Sequence, residues 1–201
     1  MRSFPLFQSL RQQHYRTREI GFHAGTATVN RVQARYRMAR SYQGMHLDGY
    51  SRATADAYSD LFRLFLTYSA FEQFLTLYRA RFYALEGDFS NHPYAEVSEA
   101  IRQADANRRI LDFLYAELDS PSHKTAIQRF GAGHHNNPAV VAAALRHVFV
   151  HGKLGPNSNR GNPAAIGQIS KKLCDFLLNF MDTEFTHTLH AFCTDRGIPL
   201  E

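Results

Sequence analysis

Arg146 and His147 interrupt an otherwise apolar run from Val140 to Val150, and His151 follows it directly before Gly152-Lys153. On a helix the two histidines lie one turn apart, about 40° round the axis, and the long Arg146 side chain sits on the flank of His147. One guanidinium and two imidazoles can therefore share a site. Imidazoles exchange protons near neutral pH, and a guanidinium forks onto anionic oxygens, so the trio combines proton transfer with anion binding. Val148 and Phe149 turn to the opposite, core-facing side, leaving the polar groups to look into a groove or an oligomer interface. Two plainer readings stand beside this one. Cations at a helix C-terminus suit its dipole and are worth about 0.3–1 kcal/mol. His147 and His151 at i, i+4 could also hold a metal with His134 or His135, although no acidic or cysteine ligand pattern accompanies them.

The elements that must position this trio are helical, because apolar residues recur at helical spacing nearly everywhere and strand-like alternation is missing. Asn137-Pro138 supplies a cap and an N1 proline for the helix carrying the trio, and Gly152 stops it. Thr54 is placed to cap a long helix reaching about Leu85, with Leu64, Tyr68, Phe71, Leu75, Tyr78 and Phe82 on one stripe. A further helix is expected from about Tyr94 to Leu118. Residues 119–138 read as a polar connection with at most one helical turn, and a last helix carries Ile166 through Phe192. Near the N-terminus, a helix around Thr28 to Gln43 holds Arg31, Arg35, Arg37 and Arg40. The expected fold is all-α: an arginine-rich helical extension over residues 1–50, then a bundle of four to five helices over 51–201.

Arg146, one polar residue, three more residues and then His151 resembles the R-polar-x-x-x-H motif of the HEPN superfamily, a group of small all-α domains. The resemblance takes in the long aromatic helix and the closing helix, spanning about residues 54–193. It implies a homodimer in which the motifs of both subunits line one cleft. It also implies a metal-independent endoribonuclease without a cofactor, acting on RNA by 2′-hydroxyl attack to leave 2′,3′-cyclic phosphate, in some members as a toxin or in defence. Such chemistry needs a proton acceptor, a proton donor and a cation beside the phosphorane. On this reading His151 is the main acid or base, Arg146 the phosphate clamp and His147 an assisting donor. Glu72, at the edge of the aromatic stripe beside Phe65 and Tyr68, would orient Arg146 or a histidine; a plain ion pair with Arg79 or another arginine explains it equally well. Lys153 stands where members paired with a nucleotidyltransferase antitoxin carry tyrosine, so modification of that tyrosine is unavailable here and any antitoxin would act otherwise. Lys153, Asn157 and Arg160 in the following loop are candidate RNA contacts, or simply a solvated loop. Other family members are silent, which makes a noncatalytic module binding nucleotide, RNA or a partner protein the alternative function.

Composition sets the outer limits. Charged residues at 20% and hydrophobic residues at 44% exclude a disordered chain and a disulfide-packed miniprotein. Lys plus Arg outnumber Asp plus Glu by 23 to 18, which permits an acidic partner without requiring one. Cys174 and Cys193 fall in the last helix about 28 Å apart and cannot bridge each other there. No signal-peptide pattern and no membrane-length apolar run is present, so the expected setting is cytoplasmic and reducing.

Overall fold

The computed structural model describes residues 1–155 and 162–200. Among them every regular element is helical. In chain order these are α1 (Phe4–Gln12), α2 (Thr26–Ser41), α3 (Arg52–Tyr78), a 3₁₀ turn (Phe82–Ala84), the single-turn α4 (Leu85–Asp88), α5 (Tyr94–Ala104), α6 (Arg109–Glu117), α7 (Pro121–Gly131), α8 (Pro138–Val150) and α9 (Pro163–Arg196). The all-α expectation holds, while the four to five helices expected over 51–201 become seven among the described residues, nine with α1 and α2.

Local chemistry explains each extra boundary. α3 is capped by Ser51, whose hydroxyl accepts the Thr54 N–H at 3.3 Å; Thr54 itself lies inside the first turn. The helix ends at Tyr78 rather than near Leu85, because Arg79 turns left-handed (φ 54°). The freed carbonyls are taken by the N–H groups of Ala80, on Leu75, and His23, on Leu77. The expected helix from Tyr94 to Leu118 is broken at Asp105. That buried carboxylate accepts the N–H groups of Ile110 and Leu111 at 2.9–3.1 Å, starting α6 afresh. Residues 121–131, read as connection, form three turns because Ile127 and Phe130 bury completely and Pro121 sits in the first turn.

α3 packs against α2, α8 and α9, and α8 also meets α5, α6 and α7. Phenylalanines knit α3 to α9: Phe180 stands edge-on to Phe71 and Phe74 at 5.9 and 6.0 Å. Phe7, Phe22, Val29 and Val32 from the first fifty residues bury in the same apolar cluster, Phe22 stacking on Phe185 at 5.1 Å. In the second turn of α9, Gly167 lies beside Ala57 of α3, and an added Cβ would come within 2.8 Å of Asp60 Oδ2 and displace that carboxylate. Both cysteines are free and buried. No helix among the described residues is long and apolar enough to cross a membrane.

The helix that carries the trio is the most enclosed element. Every residue from Pro138 to Leu145 is buried. Asn137, fully buried, satisfies two backbones at once: its Oδ1 accepts the Ala139 N–H at 3.0 Å and its Nδ2 donates to the Phe82 carbonyl at 2.5 Å. Asn137→Ala should therefore destabilise the protein by about 2–4 kcal/mol, since it removes a cap and strands a buried donor and acceptor. Chemical denaturation measures this, and a loss below about 1 kcal/mol would show the bridge to be dispensable.

Candidate functional site

α8 emerges from the core at Arg146, the first residue after Pro138 that is not buried. Its guanidinium meets Glu72 of α3, Nη2 to Oε2 at 3.7 Å, with both side chains partly exposed. A pair in that setting is worth at most about 1 kcal/mol, so its consequence is orientation more than stability. Arg146 Nε has no hydrogen-bond partner among the described residues, which leaves donor capacity in hand.

His147 follows, and its ring lies 4.4 Å from that of His151, centroid to centroid, with the planes at 56°. Burial holds the His147 pKa below its ordinary value of 6.5, and the neighbouring positive charges of His151, His123 and Arg146 add to this against the opposing pull of Asp119. The neutral imidazole, a proton acceptor, is favoured.

Arg146 and His147 line an open cleft of about 630 Å³ between α3, the 3₁₀ turn, α7 and α8. Its other polar lining comes from Arg79, Arg81, Tyr83, His123, Thr76, Tyr68 and Glu72. Three arginines thus face one carboxylate, a lining suited to an anion. Tyr68 keeps its proton, since burial and then the Glu72 charge push its pKa up. His123 stands edge-on to Phe82 at 5.8 Å, and Arg81 donates to the Tyr83 hydroxyl at 2.6 Å.

The structure brings Arg146, His147 and Glu72 together on the cleft wall, while His151 stands beside His147, exposed and outside the cleft lining. Glu72 pairs with Arg146, an ion pair that serves orientation of the guanidinium and plain charge balance alike. Lys153 is drawn elsewhere. Its ammonium donates to the Glu117 carbonyl at 3.1 Å and lies 3.7 and 3.8 Å from the carboxylates of Glu117 and Asp119, clasping the turn after α8 to the α6–α7 corner. Asn157 and Arg160 lie outside the described residues. Arg81, Tyr83 and His123 escaped the sequence reading. The alternation Arg79-x-Arg81-x-Tyr83 just past the aromatic stripe was a signal for the first two, whereas His123 was hidden in a segment read as loop.

The metal reading gains nothing from the geometry. Among the described residues no group of three or more histidines, cysteines and carboxylates is arranged to hold an ion. His135 is paired with Glu86 at 3.0 Å. Glu184 pairs with His92 at 2.6 Å, while His187 points to solvent. No family model, no curated protein and no solved structure matches this chain.

Because the folded chain disfavours protonated His147, its contribution to stability is complete above the ordinary histidine value and is lost as pH falls from 6.5 to the lowered value. In an NMR titration the His147 ring should show a midpoint below 6.5, and His151→Ala should move it back up. A midpoint above 6.5, or one indifferent to His151, contradicts this electrostatic account.

Proposed function

We propose that the protein is a metal-independent endoribonuclease of HEPN type. The observation that carries the reading is the placement of Arg146 and His147 on the wall of an open, arginine-lined cleft rather than within packing. A helix-terminal arginine and histidine serving only the dipole would need no such cleft.

The chemistry follows from the residue types. Neutral His147 takes the proton of an RNA 2′-hydroxyl, whose oxygen attacks the adjacent phosphorus. The P–O2′ bond forms and the P–O5′ bond breaks, and His151, beside His147, returns a proton to the departing 5′-oxygen. Arg146, oriented by Glu72, clamps the non-bridging oxygens and stabilises the charge that builds in the transition state. The products carry a 2′,3′-cyclic phosphate and a 5′-hydroxyl. His147 lines the cleft, which supports it as the base; His151, exposed beside it, is assigned as the acid, a division of labour different from the one the motif implied. The working form is a homodimer, as in the family the motif resembles. Half-exposed Val150, next to His151, offers an apolar contact for the second copy.

Purified protein should cleave a mixed RNA pool in EDTA, and Arg146→Ala, His147→Ala and His151→Ala should each lower the rate about 100-fold or more. Cleavage that vanishes in EDTA, or that survives all three substitutions, refutes the proposal. Absence of cleavage by the wild type moves the assignment to a binding module.

A further inference from the structure

Beyond the reacting groups, the cleft contains an aromatic side chain that core packing does not explain. Tyr83 is 52% exposed, and among the exposed large hydrophobic side chains of the described residues it is the one that lines this cleft. It is held in place from two directions. Arg81 donates to its hydroxyl at 2.6 Å, and its guanidinium carbon, 5.9 Å from the ring centroid, lies at the hydroxyl end of the ring. Phe82 sets its own ring edge-on to Tyr83 at 5.4 Å, and the backbone carbonyl of Phe82 is fixed by buried Asn137 at the start of α8. A half-exposed aromatic ring already oriented, with a guanidinium beside it, loses little conformational freedom when a flat π system lands on it. The same cleft offers Arg79 and Arg146 for a phosphodiester.

We propose that Tyr83 is a nucleobase-stacking platform that, with Arg81, selects single-stranded RNA over duplex. This rests on the reading of the cleft as an RNA site and adds the part of the substrate that the trio cannot recognise. Arginines alone track a phosphate chain of any secondary structure. A base can reach an aromatic platform only when it is free of its own stack and pair. Selection of unpaired segments then comes from Tyr83, and the sequence preference is weak because every base presents a π face.

The chain contains no tryptophan, so Tyr83→Trp introduces a sole indole at the platform. Its fluorescence is followed while the variant is titrated with a short single-stranded 2′-O-methyl oligonucleotide, which cannot be cleaved, and with an abasic strand of equal length. Anisotropy of the same labelled strands, and of a duplex, is measured on wild type and on Tyr83→Ala, with circular dichroism to show that each variant is folded. Quenching by the base-bearing strand and not by the abasic one is expected. Tyr83→Ala should weaken binding of the base-bearing single strand about 5- to 150-fold, the range that loss of one stacked base produces. Abasic and duplex binding should be unchanged. Equal quenching by both strands, or equal affinities for wild type and Tyr83→Ala, overturns the platform. The readout does not depend on catalysis. Stacking seen in a protein that leaves ordinary RNA intact removes the ribonuclease reading and keeps Tyr83, whereas cleavage with no contribution from Tyr83 does the reverse. Failure of both strands to bind removes both.

Discussion

The structure turns on the enclosure of α8. From Pro138 to Leu145 the helix is buried, with α3, α5, α6, α7 and α9 packed round it. An α-helix can be apolar on every side only if its backbone bonds are satisfied internally and its ends are handled by something else. At the N-terminus the proline needs no donor partner, and the Asn137 carboxamide supplies the cap. At the other end Gly152 adopts a left-handed conformation (φ 69°) that turns the chain away. The only place left for polar side chains is the last turn, where the helix leaves its neighbours. Arg146 and His147 fall there, and His151 caps the end that follows.

The cleft inherits its form from this one helix. One wall is the emerging last turn of α8, and the opposite wall, the strip from Arg79 to Tyr83, is tied to the first turn of α8 by the bond from Asn137 to the Phe82 carbonyl. The distance between the walls is therefore set by a rigid, buried rod rather than by loops. Lys153 adds a second restraint, binding the chain after α8 to the α6–α7 corner. Such support is what a site needs if its groups are to be held in place before a ligand arrives.

Electrostatics on the cleft wall act in concert. Arg79, Arg81 and Arg146 raise the local potential, and Glu72 offsets only part of it while aligning one guanidinium. Burial together with His151, His123 and Arg146, against the pull of Asp119, favours the neutral form of His147, so a surface that attracts anions also holds an imidazole inclined to stay unprotonated. The two properties have a common origin in the crowding of cations at the end of a buried helix.

Much of this was legible in the residues themselves. Helical spacing of Leu64, Tyr68, Phe71 and Leu75, the Asn137-Pro138 start and the Gly152 stop determined an all-α chain, its central aromatic helix and the limits of α8, because these signals act through neighbours a few residues away. The grouping of Arg146, His147 and His151 followed from the same local geometry. Boundaries set by distant partners were not legible: α6 depends on where the Asp105 carboxylate reaches, and α7 on a core able to receive Ile127 and Phe130. The opposite wall was equally hidden. Arg81, Tyr83 and His123 share a cleft with Arg146 and His147 only because α3 ends at Tyr78, the next turn docks on Asn137, and α7 packs beside α8. Helix periodicity decides which residues share a face; the tertiary structure alone decides which faces enclose the same space, since that depends on burial and hydrogen bonds between segments far apart in the chain.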